Sequence, residues 1–370
     1  MSFKQLMRLV LINVGVLLVL WMGLLFAVIA ISDISNLVKS GEKADERPAL
    51  PNYADHAYAA KIYEDAKKTV DGYAPFVEWR REPLSSDTVN IDANGLRLHT
   101  VGVEGNDPAA TDIGFFGGST MWGTGADDNG TIPAIFDRLT TSYRVTNYGE
   151  SGYTSRQNLE MLINLINEKK APKTVVFYDG VNDVQILCNQ GFTHSVNGHH
   201  EEQHLREMVA DRQQKKSSRI YYYLIAPIVE AFGFGDHPRG REYVCAQDKA
   251  KAEAVADTLV RNWELAHQLV AGYGGRFFAF LQPVAFVGHP RLDHLKLRRD
   301  SEADFLAVYP LIRTKLAERG DAWATDISDS FDRDEYIYVD DAHVTPNGNT
   351  LVAARIRDRL ASASGSSASP

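Results

Sequence analysis

From residue 111 onward, short apolar runs alternate with segments of helical periodicity, and few folds accommodate that pattern. The apolar runs fall at 113–116, 143–146, 174–178, 276–281 and 323–327. Each is too short for an ordinary helix, which argues for strands. After the second run, Leu159, Leu162, Ile163 and Ile166 recur at i, i+3, i+4 and i+7, so one helical face is apolar. A longer helical pattern at 248–271 carries Val255, Leu259, Ala266 and Val270. A further helix is expected over 302–318, kinked or split by Pro310. The last helix begins in "TPNGN", with Thr345 as its cap, Pro346 in its first turn, and Val352, Ile356 and Leu360 on its buried face. Alternation of this kind predicts an α/β fold, a doubly wound, flavodoxin-like parallel sheet of about five strands with helices on both faces.

In such sheets, sites gather beyond the carboxyl ends of the strands. Three small-residue blocks follow expected strands by a few residues: "FFGGSTMWG" with Ser119, "NYGESGYTS" with Gly152, and "YDGVND" with Asn182. They therefore converge on one sheet edge. A fourth block, "YVDDAHVTPNGN", places Asp340 three residues before His343, just ahead of the last helix. A serine hydroxyl is a poor nucleophile near neutral pH and needs a base within hydrogen-bond reach. His343 is the candidate base, and Asp340 the acid that would orient its ring. Asp341 is the competing acid, expected to point away. Backbone N–H groups of Ser119 and Gly152 and the Asn182 amide would supply donors to a developing oxyanion. Asp183 reads as a structural loop carboxylate.

Taken in order, the four blocks resemble the SGNH (GDSL-type) hydrolase family. That family carries serine in its first block, glycine in its second, asparagine in a Gly-x-Asn-Asp third, and Asp-x-x-His in its last. Here those positions are Ser119, Gly152, Asn182, Asp340 and His343, and the match covers roughly 111–360. The chain reads Gly117-Gly118-Ser119-Thr120 where the better-known pattern is Gly-Asp-Ser-Leu. The resemblance implies a serine-dependent hydrolysis of ester bonds through an acyl-enzyme at Ser119, with Ser119, Asp340 and His343 catalytic and Ser119, Gly152 and Asn182 forming the oxyanion hole. No cofactor or metal is expected. Two other readings fit the same resemblance: an O-acyltransferase modifying an exported polysaccharide, and a catalytically inactive glycan-binding envelope protein.

Outside the match, residues 9–31 are uncharged and apolar, broken only by Asn13 and two glycines. As a helix, at about 1.5 Å per residue, they span about 35 Å, enough to cross a hydrocarbon core of roughly 30 Å. An uncleaved transmembrane anchor at 1–31 is expected; a cleaved signal ending near Ala30, or a buried soluble helix, are the other readings. Lys4 and Arg8 precede the stretch, which puts the N-terminus in the cytoplasm and the rest outside, periplasmic in a Gram-negative cell. Lys39, Lys43 and Arg47 argue the other way. The substrate class expected from that location is an O-acylated glycan or lipid.

Residues 32–110 read as a linker and accessory segment, with a helical pattern at Tyr58, Ile62 and Ala66. The α/β domain is expected over 111–362, with an insertion at 186–245, and a low-complexity tail at 363–370. His194, His199, His200, His204 and His237 lie in the insertion, without the spacing of a recognised metal site. Phe76, Trp79 and Trp122 could pack in the core or rim, or form a sugar or acyl platform. Cys188 and Cys245 could pair in an oxidising compartment or stand as two unrelated buried thiols. The net charge of −9 over 370 residues, with no basic patch, argues against a nucleic-acid partner.

Overall fold

The computed structural model describes residues 2–39, 45–100, 109–189 and 243–365. It divides into two units, one holding the N-terminal helix and the other beginning at Glu46. The first helix, α1 (Phe3–Lys39), continues beyond the end of the apolar stretch. Its portion Phe3–Leu24, 22 residues of mean hydropathy 2.1, is long and apolar enough to cross a membrane. Asn13, the polar residue among the apolar positions from Leu9 onward, donates from Nδ2 to Leu9 O at 2.8 Å, so its amide is partly satisfied inside the helix.

The second unit is built on five parallel strands: β3 (Thr111–Gly117), β4 (Tyr143–Asn147), β5 (Thr174–Asp179), β6 (Arg276–Leu281) and β7 (Ala324–Asp326). Their spatial order is β4-β3-β5-β6-β7, the flavodoxin-like arrangement in which the first strand in sequence lies inside the second. All six residues of β5 are buried, as a central parallel strand covered on both faces requires. One face packs α5 (Ser155–Asn167), α6 (Val181–Leu187), α7 (Lys249–Gly272) and α8 (Glu302–Arg319) through Leu159, Val184, Leu259, Trp263 and Val308. The other packs α4 (Ile132–Leu139) and α9 (Pro346–Gly365) through Ile135, Phe136, Val352 and Ile356. Burying each such side chain contributes roughly 1.5–3 kcal/mol.

Two local expectations change. Pro310 does not split its helix: α8 runs unbroken from Glu302 to Arg319. Phe305, Val308, Tyr309 and Ile312 bury one face of it, which outweighs the roughly 3 kcal/mol that an interior proline costs. Thr345 precedes α9, yet its Oγ1 has no hydrogen-bond partner among the described residues; its carbonyl accepts from Asn349 N at 3.1 Å instead. The same helix continues to Gly365, into the segment read as tail.

Residues 46–100 form an accessory layer. Arg47–Ala49 and Pro51–Tyr53 are single 3₁₀ turns, followed by α2 (Ala59–Ala66) and a hairpin of β1 (Asp71–Ala74) and β2 (Glu78–Arg81). Tyr53, Ala59 and Tyr63 bury against Val339, while Val77 and Trp79 bury against Tyr153. Both contacts lie beside loops that follow the strands.

Cys188 and Cys245 are joined in a disulfide across 57 residues of sequence. The insertion proper and its five histidines lie outside the described residues. Closing a loop of that length removes about 4 kcal/mol of chain entropy from the unfolded state. Replacing both cysteines with alanine is expected to cost about 2–4 kcal/mol, read as a lower Tm. Dithiothreitol should reproduce the shift in the wild type and leave the double variant unmoved; equal Tm values would contradict the bond's stabilising role.

Candidate active site

Ser119 opens a one-turn helix, α3 (Ser119–Trp122), directly after β3. Buried Met121 and Trp122 hold that turn against the core, and Gly123 ends it at φ +101°, in the left-handed region. The position of Ser119 is therefore set by strand and core together.

The loop carrying His343 is folded by the carboxylate of Asp340. Its Oδ1 accepts from Ala342 N at 3.0 Å and from His343 N at 2.7 Å. The same carboxylate faces the ring: His343 Nδ1 lies 2.8 Å from Asp340 Oδ2. An ionised carboxylate only accepts, so the Nδ1–H donates and Nε2 is left with its lone pair. Nε2 lies 2.7 Å from Ser119 Oγ. Residues 224 apart in sequence thus meet within one hydrogen bond.

The charges around this pair are ordered. Burial works against the Asp340 anion, but His343 and the two backbone N–H groups hold its carboxyl well below the usual range. Burial likewise opposes an imidazolium at His343, yet Asp340 and then Asp341 draw its pKa above the ordinary value, with Arg47 pulling the other way. Asp341 itself turns aside, accepting from Gln185 Nε2 at 2.7 Å. Arg47 reaches in from the accessory layer, its Nη1 3.5 Å from Asp340 Oδ2 and its guanidinium over the Tyr63 ring at 4.4 Å.

Gly152 and Asn182 come to the same place. Asn182, near the start of α6, donates from Nδ2 to Tyr153 O at 2.8 Å, which leaves its second amide hydrogen free to turn elsewhere. A Cβ built on Gly118 would sit 2.3 Å from Asn182 Nδ2 and 3.4 Å from Tyr153 O. Three strand ends therefore close around the residue before Ser119, and a side chain there would push the Asn182 amide from its place. Gly152 adopts φ +80°, again a glycine conformation. Among the described residues, the backbone N–H groups of Ser119 and Gly152 donate no hydrogen bond.

Behind these loops lies a buried polar layer. Asp183 accepts from Ser155 N at 3.2 Å and from Ser155 Oγ at 2.5 Å, tying α6 to the start of α5. Asp179 accepts from Asn158 Nδ2 at 2.6 Å and Trp263 Nε1 at 2.8 Å. Burial, and for Asp179 the neighbouring Asp183 as well, raises both carboxyls above their usual values. Asp183 thus fixes the loops rather than facing Ser119.

Sequence reasoning missed the residues that grip the Gly152 loop from outside. Glu150 is fully buried and accepts from Ser151 N at 2.7 Å and Arg81 N at 3.0 Å. Arg80 Nη1 donates to Tyr148 O at 2.9 Å. The sequence cue is a pair of arginines beside a tryptophan, facing one acid some 70 positions away, and nothing local links them. An aromatic platform at Trp79 and Trp122 does not form, since both are buried, at 1% and 2% exposure. Phe76 is exposed. Among the described residues Cys188, Cys245 and Asp304 come close enough to share a cation, but the two sulfurs are bonded to each other and Asp304 accepts from Ala246 N at 2.7 Å.

A hydroxyl bonded to a neutral imidazole, whose other nitrogen is held by a carboxylate, can lose its proton to the ring as it attacks a carbonyl carbon. The ring can then return that proton to a leaving alcohol.

No protein-family model matches the chain, and no curated protein matches it. Solved structures that resemble it include a lipolytic protein of the G-D-S-L family from Veillonella parvula, at 15% identity, 67% of this chain, 97% of the other and a TM-score of 0.37. Est24, a carbohydrate acetylesterase from Sinorhizobium meliloti, aligns at 11% identity over 68% of this chain and 99% of its own, with a TM-score of 0.38. The catalytic domain of peptidoglycan O-acetyltransferase A from Streptococcus pneumoniae aligns at 15% identity over 70% and 96%, with a TM-score of 0.35.

Proposed function

We propose that this chain is an SGNH-type serine hydrolase of ester bonds, acting outside the cytoplasm from an N-terminal membrane anchor. Ser119 attacks the ester carbonyl, His343 takes its proton and returns it to the leaving alcohol, and Asp340 holds the ring. Ser119 N–H, Gly152 N–H and the Asn182 amide receive the oxyanion. Water then releases the acyl group. The observation that carries this reading is the 2.7 Å contact between His343 Nε2 and Ser119 Oγ, with Asp340 on the opposite ring nitrogen. The long apolar helix supports an anchor, and the Cys188–Cys245 bond supports an oxidising compartment. O-acylated glycan or lipid is the substrate class that such a location offers.

Turnover of short-chain aryl esters and acetylated oligosaccharides tests the reaction, with and without a sugar acceptor. Free acid formed without acceptor, lost in Ser119→Ala, is the expected result. Ester product that accumulates only with acceptor, hydrolysis being negligible, would replace hydrolysis by acyl transfer at the same serine. No turnover under any condition would leave a binding protein.

The charges around His343 also fix a pH dependence. The ring must be neutral to accept a proton, so kcat/KM should rise with pH through a pKa above the ordinary value of about 6.5. Asp341→Asn removes a negative neighbour and should move that limb down; Arg47→Gln removes the opposing cation and should move it up. A limb that stays fixed in both variants would contradict the placement of His343 as base.

A further inference from the structure

We propose that Trp79, in the accessory hairpin, is a positioning residue for the oxyanion hole, holding the peptide that carries the Gly152 N–H. This rests on the reading of Ser119, Gly152 and Asn182 given above. Trp79 Nε1 donates to Ser151 O at 3.0 Å. That carbonyl belongs to the same peptide unit as the Gly152 N–H, and in a planar trans peptide the two point in opposite directions. Pinning the oxygen therefore fixes the plane and aims the N–H away from Trp79. An accepted hydrogen bond on the carbonyl also polarises the N–H, making it a stronger donor.

The peptide needs such a tether. Gly152 lies at φ +80°, and glycine has the widest choice of backbone conformations, so the 151–152 plane can rotate at low cost. Packing supplies the rigidity that the residue lacks. The Trp79 ring meets Tyr153 edge-on, centroids 5.5 Å apart, and the Tyr153 hydroxyl donates back to Trp79 O. One peptide earlier, the Glu150 carboxylate holds Ser151 N, and Arg81 of the same strand as Trp79 holds Glu150. Strand β2 thus holds both peptides that flank Ser151, the donor peptide through Trp79 and the preceding one through Arg81 and Glu150, although it lies outside the α/β sheet.

Trp79→Phe keeps a ring in the pocket and removes the N–H. Its kcat should fall about 10- to 50-fold with KM changed less than about threefold, because the lost alignment matters only once the oxyanion forms. Should phenylalanine leave the hairpin unfolded, 3-benzothienylalanine at position 79, with sulfur in place of the indole N–H on an unchanged bicycle, gives the same comparison. A wild-type kcat in the benzothienyl variant, or a loss confined to KM, would overturn the assignment of Trp79. Ser119→Ala runs in parallel: if it retains activity, the reading of the site itself fails, whatever Trp79 does.

Discussion

Replacing His343 with alanine is expected to lower kcat/KM for an aryl ester by about 10⁴- to 10⁶-fold, with the fold intact. His343 Nε2 makes the one side-chain hydrogen bond to Ser119 Oγ among the described residues, so no other base stands ready to take the proton. Asp340→Asn should cost about 10³- to 10⁴-fold. A carboxamide can present its own N–H to Nδ1, which drives the imidazole proton onto Nε2 and blocks the acceptor. The same change weakens the loop, because Asp340 Oδ1 also receives Ala342 N and His343 N. Circular dichroism and Tm separate the two effects: a large rate loss at unchanged Tm marks the proton path. If His343→Ala retains more than about a tenth of wild-type turnover, the assignment of the base is wrong.

The second large effect belongs to the oxyanion side. Asn182→Ala should reduce kcat by about 10²- to 10³-fold with little change in KM, the usual cost of one lost donor. Gly118→Ala should do nearly the same by a different route. Its new methyl group would stand 2.3 Å from Asn182 Nδ2, so the amide must leave its place against Tyr153 O. The double variant should then be little worse than either single one, since both remove the same group. Additive losses in that cycle would mean that Gly118 and Asn182 act separately.

Much of the sheet is legible in the sequence because its signal is local. Apolar runs at 174–178 and 276–281 become β5 (Thr174–Asp179) and β6 (Arg276–Leu281), buried along almost their whole length. The gathering of the Ser119, Gly152 and Asn182 blocks is legible too, since each follows a parallel strand that delivers its loop to one edge. His343 lies well beyond β7 (Ala324–Asp326), and only the Asp340-x-x-His343 pattern points to it. The accessory hairpin is not. Its turn places Phe76 at φ +68° and Glu78 at φ +65°, where sequence rules look for glycine or asparagine. What holds it there is contact with the Gly152 loop, through Trp79, Arg80 and Arg81, and those partners lie some 70 residues away. Local propensity carries no trace of such pairing. Pro310 misleads for the same reason, because burial of α8 decides its path.

The most direct measurement is the site of covalent capture. A fluorophosphonate probe is added to the full-length protein and the modified peptide identified by mass spectrometry. The expected result is a single adduct on Ser119, absent from Ser119→Ala and strongly slowed in His343→Ala. Finding the adduct on another serine, or undiminished in Ser119→Ala, would contradict the account at its root.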